Sequence, residues 1–169
     1  MYYLTIRQFV RTLKNLDGIL DKAVQHAKAH NFDVNNFCTS RLAPDMLPFP
    51  AQIRIACDMA KAAGSNLAGK DAPKFEDNES TFEQLRERIA KTVAFLDSLN
   101  EQDVAKTDSQ KVVKIPFPQG KALQVDEYVL GRQIPNFYFH VTTAYALLRQ
   151  GGVPVGKGDF IGNLNLRDA

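Results

Sequence analysis

The chain has 169 residues, of which 44% are hydrophobic, and this suits one sizeable core and a single domain over residues 1–169. Its net charge of +2 arises from 21 basic and 19 acidic residues spread along the whole chain. No basic run supplies the concentrated positive surface that nucleic acid needs, so we expect no nucleic-acid partner.

The two cysteines, Cys38 and Cys57, lack CxxC spacing, which argues against a zinc ribbon and against a redox motif. We expect both to be reduced thiols. No positively charged start leads into an apolar segment, and no apolar run approaches the ~20 residues that cross a bilayer. The sequence therefore predicts a cytoplasmic protein with no membrane partner.

The first predicted element is a long amphipathic helix over residues 3–30, where apolar residues recur at three- and four-residue steps. His26 and His30 lie four residues apart near its end, a spacing that can chelate zinc. The same position favours histidine for a structural reason, because the end of a helix dipole attracts positive charge. We prefer the structural interpretation.

Residues 31–49 show no sustained period and are predicted to form a long crossover loop. Within it, Arg41-Leu42-Ala43-Pro44-Asp45-Met46 mixes charges with apolar anchors, which indicates an ordered cap over one end of the molecule. Arg41 is a candidate for binding an anionic ligand and Asp45 for orienting a base. For both residues we prefer a salt bridge or cap within the loop.

A second helix is predicted over residues 50–68, rich in small residues that favour close packing. Asp58 lies off its apolar stripe but between Ile55 and Ala62, which is an apolar setting for a carboxylate. A linker over residues 69–78 leads to a third helix over residues 79–100, with Ser80 or Asn78 as its N-cap.

After Asn100 the period changes to alternation. Val113, Ile115 and Phe117 alternate with other residues, and Pro118-Gln119-Gly120-Lys121 supplies a turn before the alternation resumes. This pattern predicts a small β-hairpin within residues 112–126.

The last predicted helix, residues 135–150, begins at a proline and ends at a pair of glycines. His140 falls beside its apolar stripe, so the imidazole should point inward and must find a partner, since an unsatisfied buried polar group costs about 1–3 kcal/mol. We predict that partner on the second helix or the 41–45 loop, with Asp58 and Asp45 as leading candidates. Tyr145 points to a neighbouring face, from which it can donate its hydroxyl into the same interior or across a subunit interface.

The segment after Gly151 is predicted to wrap back as a C-terminal tail. Its Gly156-Lys157-Gly158 has the look of a phosphate-cradling loop but lacks the preceding strand and following helix of a P-loop. We interpret these glycines as a tight turn of the tail against the helices.

These elements predict an all-α four-helix bundle with a long crossover between helices one and two and a small β-hairpin between helices three and four. The motifs that carry a resemblance are Ile134-Pro135-Asn136-Phe137-Tyr138-Phe139-His140, Gly156-Lys157-Gly158-Asp159-Phe160-Ile161-Gly162, Arg41-Leu42-Ala43-Pro44-Asp45-Met46 and the stretch from Gln52 to Asp58. With them, nearly the whole chain resembles an uncharacterised domain-of-unknown-function family grouped with the DinB/YfiT-like metalloenzymes. The resemblance implies an up-down bundle and a homodimer, but no established activity.

DinB-like relatives bind a divalent metal through three histidines, one on the second helix and two spaced four apart on the last. His140 matches one of these positions, but Ala144 stands four residues further on and the second helix has no histidine. A divalent metal would need His140 with Asp58 or water. We therefore predict no metal ligands and no cofactor, with a bound divalent metal as the alternative.

Two functional hypotheses follow. The one that the missing histidines favour is a non-catalytic dimeric bundle that binds a small molecule or an interaction partner around a buried polar site at His140. Its candidate ligand-binding residues are Arg41, Asp45, Gln52 and Asn136. The alternative is a metal-dependent enzyme acting on a small molecule, with His140 as general base or ligand, Asp58 orienting it and Tyr145 nearby.

Overall fold

The computed structural model describes residues 1–168 of the chain, and most of them are helical. In chain order the regular elements are α1 (Tyr2–Ala29), α2 (Phe49–Ala68), α3 (Phe82–Asp97), α4 (Glu101–Ala105), β1 (Val112–Lys114), β2 (Ala122–Gln124), α5 (Ile134–Gln150) and α6 (Lys157–Ile161). The four long helices and the intervening strands confirm the predicted bundle with its hairpin.

Helices α1 and α3 run in opposite directions. Arg7, near the start of α1, donates to Asp97 at the end of α3. Arg86, near the start of α3, binds Asp17 in the middle of α1, with Nε 2.8 Å from Oδ1. The apolar faces of both helices meet the core between these two ion pairs.

Helices α2 and α3 run in the same direction, which the sequence did not reveal. Asp58 of α2 pairs with Arg88 of α3, and six residues later a Cβ on Gly64 would lie only 2.6 Å from the Leu96 side chain. The connection over residues 69–81 must therefore return along the length of α2. It is a second long crossover where the sequence indicated only a linker.

Helix α5 completes the bundle and runs parallel to α1. The rings of Phe9 and Phe137 lie 4.4 Å apart between centroids, and Tyr2 at the start of α1 donates to Asp126 ahead of α5. Helices α1 and α5 thus point one way, and α2 and α3 point the other. The up-down order that the resemblance implied is therefore wrong between α2 and α3.

The predicted cap over residues 31–49 is present and ordered at the end of the bundle where α1 finishes. A 3₁₀-helix, Val34–Thr39, lies within it and buries Phe37 against Phe82 at the start of α3. The Asn35 side chain accepts the backbone N–H of Phe82, which ties the cap to α3.

The boundaries of α1 and α2 agree with the prediction, whereas α3 starts later and ends earlier than expected. Its N-cap is Thr81, which forms a capping box with Gln84, so the expected caps Ser80 and Asn78 were wrong. A short helix that the sequence analysis missed, α4, follows at once and is capped by the side chain of Asn100.

The two strands form an antiparallel hairpin with Val113 opposite Leu123. The last helical segment begins before the predicted residue 135, because a π-helical segment, Glu127–Gln133, leads directly into α5. Such segments are rare. The side chain of Gln133, at the end of this one, donates a hydrogen bond to α2.

The tail returns along α1 as predicted, and its α6 packs there. Arg11 donates to the carbonyl of Ile161 at 3.0 Å, and Lys22 pairs with Asp159 at 2.6 Å. Asp159 also accepts the backbone N–H of Gly156 at 2.9 Å, so this glycine turn serves the start of a short packed helix. Among the described helices none is both long enough and apolar enough to span a membrane.

Candidate functional site

His140 lies on the face of α5 that packs against α2, and only 9% of it is exposed. Its Nδ1 is 2.7 Å from Oε1 of Gln52. The predicted inward orientation is confirmed, and the partner does come from the second helix. The imidazole is therefore held at a fixed angle between the two helices.

Gln52 determines which tautomer the imidazole adopts. This residue is 1% exposed, and its Nε2 donates to the carbonyl of Leu47 at 2.8 Å. The amide NH₂ group must face that carbonyl, which leaves Oε1 to accept a hydrogen bond from His140. In the neutral ring the proton is thus on Nδ1, and Nε2 carries the lone pair.

Exposed apolar side chains lie near the free nitrogen of His140. Within residues 1–168 Nε2 has no hydrogen-bond partner, and it is not among the fully enclosed unpartnered polar atoms. Phe139 is 55% exposed and stands edge-on to the imidazole, with ring centroids 5.1 Å apart. Leu47 is 50% exposed beside Gln52, and half-buried Asn136 lies one turn before His140.

Burial lowers the pKa of His140 below its ordinary value. Desolvation penalises the charged imidazolium, and no carboxylate lies close enough to oppose this effect. The ring is consequently neutral near pH 7, and its Nε2 acts as a hydrogen-bond acceptor or a weak base.

The predicted partners of His140 were wrong in identity. Asp58 binds Arg88 at 2.8 Å and Lys61 at 3.1 Å, and Asp45 is exposed in the cap. The reason is helix geometry: six residues after Gln52 an α-helix has turned by about 240°, which directs Asp58 toward α3 instead of α5.

Two other predicted site residues also lie away from the imidazole. The ring of Tyr145 packs edge-on against Phe160 of α6, with centroids 5.9 Å apart, on the side of α5 that faces the tail. Arg41 donates to the carbonyl of Met46, which is a local contact within the loop but not the salt bridge expected there. Of the predicted set, the structure brings together only His140 and Gln52, with Asn136 alongside.

The donor atoms present do not fit the divalent metal that DinB-like relatives hold. His140 offers a single ring nitrogen, and across residues 1–168 no group of three His, Cys, Asp or Glu side chains is placed to hold an ion. The rings of His26 and His30 are tilted against each other with centroids 4.2 Å apart, and Nδ1 of His30 lies 2.9 Å from the His26 carbonyl, which favours their structural interpretation.

A second polar contact between α2 and α5 was missed by the sequence analysis. Gln133 is fully buried, and its Nε2 donates to the carbonyl of Met59 at 2.8 Å. It lies seven residues before His140, as Met59 lies seven after Gln52, so the two contacts are about two turns apart on antiparallel helices. The sequence did contain a sign of this contact, because Gln133 lies one heptad before His140 and therefore on the same core-facing side.

The largest cluster of charge was also missed, and it is centred on Arg88 of α3, whose side chain is 1% exposed. Besides Asp58, this guanidinium binds Asp77 at 2.7 Å and Glu79 at 2.8 Å, both from the crossover over residues 69–81. The signal in the sequence was an arginine next to Ile89 on the apolar stripe of the third helix.

We expect acid to destabilise the protein through His140. Because its pKa is lowered in the folded state, the unfolded chain binds a proton below about pH 6.5 that the folded chain still rejects. The stability that the neutral His140 contributes is fully present above about pH 6.5, and it is lost as the pH falls from there through the folded-state pKa. Urea unfolding between about pH 7.5 and pH 5 should show a larger loss for wild type than for His140→Gln, whose amide does not titrate. Equal losses would contradict this expectation.

Comparison with known proteins agrees with this architecture. The family described as "Domain of unknown function (DUF1993)" matches residues 1–161. The crystal structure of a DinB family member protein from Shewanella denitrificans is 40% identical, with a TM-score of 0.92 over 99% of this chain and 95% of that chain. No curated protein matches. The chain therefore belongs to the DUF1993 family and has the fold of the DinB-like proteins.

Proposed function

We propose that this protein is a non-catalytic bundle that binds a small molecule at Nε2 of His140. The observation that carries the proposal is the 2.7 Å contact between Gln52 and His140. It supplies a buried, neutral and pre-oriented hydrogen-bond acceptor, and an acceptor held in place loses little freedom when a ligand binds.

The surroundings of the ring favour an apolar ligand with one hydrogen-bond donor. Phe139 and Leu47 offer exposed apolar surface, and Asn136 adds an amide one turn away. Small-molecule sites combine such apolar walls with a few placed polar groups. A hydroxyl or N–H group on an aromatic body meets both requirements.

The alternative of a metal-dependent enzyme has less support. Its candidate residues His140, Asp58 and Tyr145 lie on different sides of the bundle, and Asp58 is engaged by Arg88 and Lys61. One imidazole nitrogen is not a metal site, since catalytic zinc takes three protein ligands.

Phenol is a suitable probe for the proposed site. In spectra of ¹⁵N-labelled protein we expect millimolar phenol to shift the His140 ring nitrogens and the Asn136 amide, with weak affinity as for any fragment of its size. His140→Phe should lose the shift of the Asn136 amide, and Tyr145→Phe, remote from the imidazole, should keep both shifts. An Asn136 shift that is equal in wild type and His140→Phe, or a wild type in which phenol shifts neither signal, would refute the proposal. A zinc-induced shift of Nε2 would favour the enzyme alternative.

We further propose a cytoplasmic homodimer. Met1 and Leu4 are 71% and 72% exposed and line a cleft of about 340 Å³ with Ile134 and Tyr138, more apolar surface than an isolated bundle needs. Both cysteines are free thiols, as expected in the cytoplasm. Light scattering should give twice the chain mass at micromolar concentration, and the chain mass itself would rule the dimer out.

A further inference from the structure

We propose that the groove between α2 and α3 at Lys61 and Arg88 is a docking site for an acidic peptide segment carrying an aromatic residue. In the structure the crossover over residues 69–81 fills this groove and takes the place of such a partner. The proposal concerns the opposite side of α2 from His140 and does not depend on the function proposed above.

The groove itself is cationic and deeply set. Arg88 reaches it from α3 with a side chain 1% exposed, and Lys61 from α2 with a side chain 11% exposed. Of the bundle's own helices, Asp58 contributes the carboxylate that bridges these two cations, at 2.8 and 3.1 Å. Glu87 of α3 also lines the cleft, but it is paired with Lys91. Without the crossover, two buried positive charges would face one negative charge, so the groove attracts further anions.

The crossover meets those cations with a short pattern, Phe75-x-Asp77-x-Glu79. Lys61 Nζ lies 3.9 Å from the centre of the Phe75 ring and Arg88 Cζ lies 4.7 Å from it. The two carboxylates bind the guanidinium at 2.7 and 2.8 Å. Residues 70–81 form no helix or strand, so side-chain contacts supply most of what holds the segment down.

The crossover satisfies the groove incompletely. The enclosed side-chain polar atoms without a hydrogen-bond partner in residues 1–168 include Nε of Arg88 and Oε2 of Glu79, which both belong to this contact. The side chain of Asp77 is 60% exposed, and a cleft of about 310 Å³ borders Phe75, Glu79 and Arg88. A partner segment that reached Arg88 Nε would gain a hydrogen bond that the crossover does not make. This extra bond would help the partner to compete with the crossover, which has the advantage of being part of the same chain.

A peptide with the sequence of residues 70–81, labelled with fluorescein, tests the site by fluorescence anisotropy. In wild type the tethered crossover should keep binding weak. The variant Phe75→Ser/Asp77→Asn/Glu79→Gln empties the groove and should bind the peptide roughly ten-fold more tightly. Adding Arg88→Gln should abolish this gain, and a peptide with the same residues in scrambled order should bind no better to the triple variant than to wild type.

A folded triple variant with wild-type affinity for the peptide would overturn the proposal. Lys61 and Arg88 would then serve only to hold the crossover in place. If the triple variant fails to fold, Asp77→Asn gives the decision, because that side chain is mostly exposed. With this variant, about 1 mM peptide should accelerate amide hydrogen exchange in residues 71–79 by displacing them, as expected when a competitor opens a locally stable segment. Unchanged exchange would overturn the proposal equally.

Discussion

Replacement of Arg88 by alanine is expected to lower the free energy of unfolding by about 3–5 kcal/mol, the usual cost of removing one partner from a buried ion cluster. Among residues 1–168 Arg88 is the only cation that pairs with the carboxylates of Asp77 and Glu79, and it shares Asp58 with Lys61. Arg54 of α2 donates to the backbone carbonyl of Asp77. Its loss leaves Glu79, whose side chain is 11% exposed, as a nearly buried charge without a counter-ion.

The size of the expected loss depends on how exposed each carboxylate is. Asp77 is 60% exposed and regains water when the guanidinium is removed, so it adds little to the loss. Glu79 cannot regain water without moving the crossover away from α2 and α3. The variant should therefore either hold an unpaired buried charge or release residues 69–81, and both outcomes are costly.

Arg86 supplies a matched control on the same helix. It pairs with Asp17 at 2.8 Å and Asp21 at 3.3 Å, but its side chain is 36% exposed. Arg86→Ala should therefore cost about 1 kcal/mol or less, as partly exposed pairs generally do. Urea unfolding of the two variants side by side measures the difference. A cost for Arg88→Ala within error of that for Arg86→Ala would mean that the cluster contributes no more than surface charge does.

The bundle was predictable because its helices carry regular apolar stripes. Such a stripe indicates which face of a helix is buried, but not in which direction the helix runs relative to its neighbours. The period of residues 50–68 is the same whether α3 runs parallel or antiparallel to α2. Only the length of the 69–81 connection carried that information, and its polar composition is equally typical of a linker. Arg88 was overlooked for the same reason, since its partners Asp77 and Glu79 reach it only through the crossover.

At the candidate site, the sequence correctly predicted the burial of His140 and a partner on the second helix, but it named the wrong residue. The apolar stripe of α5 placed the imidazole inward, and a carboxylate was the expected neighbour because buried histidine so often has one. Position around α2 decided otherwise, since Gln52 faces α5 and Asp58 faces α3. An amide partner leaves the imidazole neutral, so the chemistry differs from that of a histidine paired with a carboxylate.

The second large effect is expected at Gln52. Gln52→Ala should lower the free energy of unfolding by about 2–4 kcal/mol, because it creates a cavity and leaves Nδ1–H of His140 without its acceptor. The Leu47 carbonyl loses its donor as well. His140→Ala removes the imidazole and leaves Oε1 of Gln52 without its donor, and should cost about 1–3 kcal/mol.

A double-mutant cycle separates the hydrogen bond from packing. If the 2.7 Å contact is what fixes the ring, Gln52→Ala/His140→Ala should cost less than the sum of the single variants by about 1–2 kcal/mol, since the second change removes a group already left unpaired. Gln52→Glu is the informative companion, because a carboxylate at this position favours the imidazolium and should raise the pKa of His140 toward or above its ordinary value. Nitrogen-15 shifts of the ring report that pKa directly. Additive single effects together with an unchanged pKa in Gln52→Glu would show that Gln52 does not set the protonation state of the imidazole. The ligand binding that we propose would then lose its basis, because it depends on a neutral acceptor held in place by Gln52.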